Sequence, residues 1–335
     1  MLSTLNYVRN LVSMALGREP SRPLLFSYYV THRCALKCRY CSDGDGKRFN
    51  EERIPELSTA EAKKLVSILR ASADVLDITG GEPMVREDLE EILAHARGIG
   101  FLTVLNTKGI GLEARPDLMR LADVLVLSLD TLDAGSLAEL IGRPRDVAEQ
   151  VLDALRFALS RRASAGTRLV LSAVATPGNL EEVSNVLRFA VEHSIGFHVS
   201  PEIMGVRANP ELRGSARYRR LVGEIIKAKG KRRGILGVPE YLRGIRDFRP
   251  FRCHPFLMPV VRPDGRMYYP CLESPAAEID ILEKGDYLAA LKAAQERCGS
   301  IPKCLDCCHI FCHMGLSLFQ RHPLSALGEV LHWRN

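Results

Sequence analysis

Six short runs of apolar and β-branched residues recur along the first two thirds of the chain: 24–31 (LLFSYYVT), 74–80 (DVLDITG), 101–107 (FLTVLNT), 123–130 (DVLVLSLD), 167–176 (TRLVLSAVAT) and 195–202 (IGFHVSPE). Runs this short and this apolar predict strands buried on both faces. Between them the apolar positions take helical spacing, over 58–73 with Ser58 or Thr59 as the cap, 86–100, 115–122, 146–166 and 179–196. Strands alternating with helices of this length predict an α/β fold with a parallel sheet and right-handed crossovers. Six such units make a partial (β/α)6 barrel, with the functional groups at the carboxyl ends of the strands.

Composition adds the setting. A chain of 335 residues, 46% hydrophobic, can bury a large core and a smaller module. No run of about 18 apolar residues occurs, so no transmembrane helix is expected. Residues 1–23 hold only a short apolar run, LVSMAL, broken by Ser13 and preceded by Arg9, without a signal-peptidase site. The ten cysteines fall into two groups, three at 34–41 and seven at 253–312. That segregation points to metal binding in a reducing cytoplasm rather than to disulfides.

The chemistry-bearing residues follow the predicted strands. Cys34, Cys38 and Cys41 come directly after the first, Gly80-Gly81-Glu82-Pro83 after the second, Asn106-Thr107-Lys108-Gly109 after the third, and Ser128 to Asp130 after the fourth. Thiolates are soft ligands suited to iron-sulfur clusters, zinc or copper(I). Zinc would want a fourth ligand, for which His32 is the local candidate, whereas an iron-sulfur cluster can leave one iron open to a non-protein ligand.

The spacing CxxxCxxC, with Tyr40 as the aromatic before the third cysteine, resembles the cluster loop of the radical S-adenosylmethionine (SAM) superfamily. The resemblance runs over residues 24 to about 205. It implies a 4Fe-4S cluster on Cys34, Cys38 and Cys41, with SAM chelating the open iron. Gly80, Gly81, Glu82 and Pro83 then match the motif that receives the SAM amino group, where glycine permits close backbone approach and Glu82 complements an ammonium. Ser128 and Asp130 fall where the family contacts the ribose or methionine part of SAM, and Asn106, Thr107 and Glu202 face the same pocket. The implied reaction is reductive cleavage of SAM to a 5′-deoxyadenosyl radical that abstracts hydrogen from an unactivated substrate carbon, giving an oxidised or cross-linked product. An electron donor of flavodoxin or ferredoxin type is implied with it. No residue is assigned a catalytic role.

The second cysteine group resembles the SPASM/Twitch auxiliary-cluster module of the same superfamily. Cys253 and Cys271 flank two apolar runs joined by RPDGR, a hairpin signal with Asp264 and Gly265 at the turn, and a helical stretch leads to KCLDCCHIFC. In the Twitch form the auxiliary 4Fe-4S cluster takes four cysteines, which here are Cys253, Cys271, Cys304 and Cys307; Cys308 and Cys312 are additional, and either could displace Cys307. Zinc remains the competing occupant, since CxxC after a hairpin also resembles a zinc ribbon. Four segments are thus expected: an N-terminal helical extension (1–23), the radical SAM partial barrel (24–205), a basic helical connection (206–252) and the auxiliary-cluster domain (253–335).

Charge bears on the partner. Residues 213–252 carry thirteen Lys or Arg against three acids, a balance of +10 in a chain whose total is +6, so the remainder is acidic. A solvated helical face explains this, as does an anionic small molecule, lipid headgroup or acidic peptide; nucleic acid fits less well, because no aromatic-rich binding motif accompanies the cations. Leu2, Leu5, Val8, Val12 and Leu16 near helical spacing suit either a peripheral membrane contact or a helix closing the open side of the barrel. The substrate class stays open among small molecule, lipid and peptide, and the lack of a separate peptide-recognition domain weighs against the last. The rival class is a non-catalytic zinc-binding protein whose basic segment holds an acidic partner.

Overall fold

The computed structural model describes residues 2–41, 53–231, 234–299 and 308–334. The six predicted strands are β1 (Phe26–Thr31), β2 (Val75–Gly80), β3 (Leu102–Thr107), β4 (Val124–Ser128), β5 (Arg168–Ala175) and β6 (Gly196–Pro201), parallel and paired in chain order. A short ribbon, β7 (Ile203–Met204) with β8 (Arg207–Ala208), follows. Three further strands, β9 (Val260–Val261), β10 (Arg266–Tyr269) and β11 (Ala277–Asp280), extend the sheet beyond β1, with β9 parallel to β1. The β9–β10 connection is the turn expected from RPDGR, with Gly265 at φ +79°. Among the described residues β6 and β11 are the two ends of the sheet and do not pair, so the barrel is open.

The helices are α1 (Leu2–Ala15), α2 (Thr59–Arg70), α3 (Leu89–Gly98), α4 (Asp117–Leu121), α5 (Ala134–Ile141), α6 (Arg145–Ala165), α7 (Leu180–Glu192), α8 (Pro210–Gly214), α9 (Ala216–Lys231), α10 (Pro239–Asp247), α11 (Ile281–Lys284), α12 (Tyr287–Cys298), α13 (Leu316–Arg321) and α14 (Pro323–Arg334). Ser58 caps α2 in a reciprocal capping box with Glu61. Ala62, Leu65, Val66 and Leu69 of that helix are buried in the same core as Leu76 and Ile78 of β2, each large side chain contributing roughly 1.5–3 kcal/mol by leaving water. On the inner face, Val124, Val126 and Val170 form a separate apolar cluster with Val104 and Leu236 at the amino-terminal half of the strands. Toward the carboxyl ends the inner positions turn polar: Asp77, Asn106, Ser172, His198 and Ser200 all remain partly accessible between fully buried neighbours.

α1 buries its polar side. Asn6 donates to the carbonyls of Pro23 and Ser72 at 2.8 and 2.7 Å, Asn10 donates to that of Arg22, and the Ser3 N–H donates to Asp74. These bonds lay the helix across the amino-terminal ends of β1 and β2, with its apolar stripe outward. The stripe therefore does not close the barrel: the chain carbonyls before β1 and β2 need donors, and Asn6 and Asn10 supply them.

Candidate functional site

The cysteine loop leaves the carboxyl end of β1 and is held from two sides. On one side the N–H groups of Lys37 and Arg39 donate to the carbonyls of Ile141 and Leu140, at the end of α5. Gly142, with φ +60°, follows; a side chain there would meet the Lys37 backbone at 3.0 Å. The sequence reading did not anticipate α5 or this contact. On the other side the glycine turn after β2 packs on the base of the loop: a Cβ on Gly80 would lie 2.2 Å from the Thr31 oxygen, and one on Gly81 would lie 2.5 Å from that of Arg33 and 2.6 Å from that of His32. The N–H groups of Gly81 and Glu82 donate to Thr31 and Arg33 at 2.8 and 2.9 Å. Glycine is thus required here by the chain's own backbone, whatever else binds.

Glu82 is buried, and its carboxylate accepts from the N–H of Met84 at 3.0 Å, the N–H of Lys108 at 2.8 Å and the hydroxyl of Thr107. Burial raises its pKa, and these three donors work against that rise. The residue after Thr107, Lys108, lies in the motif that follows the third strand, but the sequence reading assigned it no role. Its buried ammonium lies 3.1 Å from Oδ2 of Asp130 and 3.4 Å from the Tyr40 hydroxyl. Burial pushes the lysine down, but Asp130 and the neighbouring Cys38 outweigh it and hold the ammonium above its ordinary pKa. Asp130 also accepts from the Tyr40 hydroxyl and, at 2.8 Å, from the N–H of Val174. Tyr40, Lys108 and Asp130 thereby tie the cysteine loop to the ends of β3, β4 and β5.

The other expected residues take the following places. Asn106 donates to Asp77 on the inner face, and Ser27 donates to the same carboxylate at 3.0 Å. Ser128 is half-buried at the end of β4, in register with Ser172. Glu202 accepts from the Asn209 amide at 2.6 Å. Pro83 is buried and opens a short turn capped by Glu82. His32 is buried against the ring of Tyr29, and burial pushes its pKa down to about 4.

Cys34 and Cys38 are half-buried and Cys41 exposed. Burial lifts the Cys34 thiol to about 11 and raises Cys38, while both feel Lys108 and Glu82. The Leu36 N–H donates to the Cys34 sulfur at 3.4 Å. Among the described residues no three His, Cys, Asp or Glu converge closely enough to hold a metal ion. The donor set nevertheless fits a cluster: three soft thiols share one loop, with a buried cation beside them to offset the charge of their thiolates.

In the second group, Cys253 and Cys271 are half-buried, while Cys304 and Cys307 lie outside the described residues. Cys308 is buried in the main core, and Cys312 packs with Tyr29, Met258, Tyr268 and Leu272, where burial lifts its thiol to about 12. The segment carrying Cys308 and Cys312 crosses the carboxyl end of β6: the Phe311 N–H donates to the Ser200 hydroxyl oxygen at 3.2 Å, and the Phe311 ring packs on His198, ring centroids 4.5 Å apart. His254 is buried and bonded to Glu19.

Comparison with known proteins agrees with this geometry. Residues 28–190 match the Radical SAM superfamily. The chain is 33% identical over 177 residues to a PqqA peptide cyclase of Xanthomonas euvesicatoria pv. vesicatoria, covering 51% of this chain and 45% of that protein, and 34% identical over 167 residues to one of Methylobacterium sp. (strain 4-46), covering 48% and 42%. It thus spans less than half the length of these curated relatives. Streptococcus suis SuiB bound to its precursor peptide SuiA shares the fold at 18% identity, with a TM-score of 0.63 over 90% of this chain and 73% of that one; SuiB bound to S-adenosylmethionine gives 0.61 over 85% and 69%.

Proposed function

We propose, from the match of residues 28–190 to the radical SAM superfamily, that the chain is an enzyme of that superfamily that cleaves S-adenosylmethionine reductively and removes hydrogen from an unactivated carbon of a peptide. The observation that carries this is the Cys34, Cys38, Cys41 loop, seated on the Gly80–Glu82 turn and fastened by Tyr40 to Asp130 and Lys108. A 4Fe-4S cluster with SAM, held there by the three thiolates, supplies the one-electron chemistry. The chain's residues do the positioning. Lys108 offsets the thiolate charge, and Asp130 keeps Tyr40 and the loop in register with β4 and β5. The valine cluster excludes water from the amino-terminal half of the barrel, while Asp77, Asn106 and His198 leave a polar inner surface above it to orient a substrate. The peptide is favoured because the curated relatives are peptide cyclases and SuiB has been solved with a precursor peptide. Cys253, Cys271, Cys304 and Cys307 are proposed as the residues that would hold an auxiliary 4Fe-4S cluster, which would supply an electron acceptor.

Anaerobic reconstitution followed by iron and sulfide analysis tests the reading. About eight irons per chain is expected, with absorbance near 400 nm and dithionite-dependent 5′-deoxyadenosine. Replacing Cys34, Cys38 or Cys41 by Ala should abolish 5′-deoxyadenosine. Zinc in place of iron, or a cysteine variant that still cleaves SAM, would overturn it.

A further inference from the structure

Eleven large apolar side chains are exposed among the described residues, and eight of them lie on the two terminal helices, 38% to 86% exposed. On α1 and the residue after it these are Leu5, Val8, Val12 and Leu16, spaced to share one face. On α14 they are Leu324, Leu327, Val330 and Leu331. Both helices are inverted relative to an ordinary surface helix, since α1 turns Asn6 and Asn10 inward and α14 turns its one acid, Glu329, inward onto Lys229 and the N–H of Gly237. The two helices are linked through α13: Tyr7 donates to the Phe319 carbonyl at 3.0 Å, the Gln320 amide donates to the Tyr7 carbonyl, and α14 follows directly.

Both lie at the amino-terminal end of the sheet. Ser3 and Asn6 fasten α1 before β1 and β2, and Lys229, which holds Glu329, also donates to the carbonyl of Ile235, which bridges to Phe197 at the start of β6. The cysteine loop is at the opposite end. Cations predominate beside the apolar stripes: Arg9 is the single charged residue of α1, Arg18 and Arg321 are exposed nearby in the chain, and Lys227 and Lys231 are exposed on the last turns of the α9 helix that grips α14, while the neighbouring acids Glu19 and Glu224 are engaged by Arg252 and His254 and by Ser184.

We infer that this end of the molecule docks on an anionic lipid surface. Apolar stripes of this width, flanked by cations and free of exposed acids on either helix, fit the boundary between headgroups and acyl chains. A second copy of the chain fits poorly, because a symmetric contact would set Arg9, Arg18 and Arg321 against one another, while the acid next to them, Glu19, is already engaged by Arg252 and His254. No described helix is long and apolar enough to cross a membrane, so the contact is peripheral. Docked this way, the cysteine loop faces away from the bilayer. The inference does not rest on the cluster chemistry.

Flotation of the reconstituted full chain with phosphatidylcholine vesicles, with and without phosphatidylglycerol, tests it. The protein should rise with the phosphatidylglycerol vesicles and remain below with phosphatidylcholine alone, and high salt should weaken the association. Val8→Glu combined with Val12→Glu should lower the bound fraction about tenfold or more, with circular dichroism and 5′-deoxyadenosine formation unchanged. Arg9→Glu with Arg18→Glu should remove the preference for phosphatidylglycerol. Failure of the parent protein to float, or equal flotation of the Val8→Glu/Val12→Glu variant, would overturn the proposal. So would a concentration-dependent dimer by light scattering that this variant abolishes.

Discussion

Replacing Lys108 by Met puts the buried triad under direct strain. The Lys108 and Asp130 side chains are 8% and 1% exposed, and their 3.1 Å contact is screened little by solvent. Met fills the volume of the lysine stem but leaves the Asp130 carboxylate buried with only the Val174 N–H and the Tyr40 hydroxyl as donors. Removing one partner of a buried ion pair costs about 3–5 kcal/mol. Spread over 335 residues at about 2.1 cal/mol/K each, the unfolding entropy is about 0.7 kcal/mol/K, so the melting temperature should fall by about 4–7 °C. Adding Asp130→Asn should recover much of the loss, because the uncompensated charge goes while one carbonyl oxygen remains for Val174. Circular dichroism melts of the single and double variants, with iron retention after reconstitution, make the measurement. A Lys108→Met variant that melts with the parent protein, or a double variant less stable than the single, would refute the account of this triad.

Gly81→Ala should cost about 1–3 kcal/mol and impair iron retention, because its Cβ meets the Arg33 and His32 carbonyls, whereas Gly98→Ala, with nothing within 4 Å, should be neutral or stabilising; urea midpoints decide. Burial raises Asp77 from 3.8 to about 6 in the folded protein, so between those values the folded state holds the extra proton and stability falls as pH rises, by up to about 3 kcal/mol. Asp77→Asn should flatten that dependence and be the more stable protein at pH 8, and a steeper pH slope in the variant would contradict the assignment. Replacing Cys253 and Cys271 together should remove about four irons per chain and spare SAM cleavage. Cys308→Ala, at a core position, should cost packing stability while the iron count holds.

The order and direction of β1–β6 were legible because local pattern suffices: a buried parallel strand must be apolar on both faces, and a crossover helix must show a periodic apolar stripe. The cysteine loop, the Gly80–Pro83 turn and the ends of β3 and β4 were legible for the same reason, since spacing along the chain is spacing at one end of the sheet. The partners of those residues were not. Lys108 looks like an ordinary loop lysine until Asp130 and Tyr40, distant in sequence, close around it, and α5, too short for periodicity to declare it, turned out to hold the loop. Gly81 was expected to make room for a ligand, and it makes room first for Arg33. The apolar stripe of α1 was visible in the chain, but which face it turned to the protein depended on carbonyls before β1 and β2 that Asn6 and Asn10, with Ser3, satisfy. Periodicity tells how a segment is built, while the side it buries is settled by the unsatisfied backbone groups it meets, and those belong to residues far along the chain.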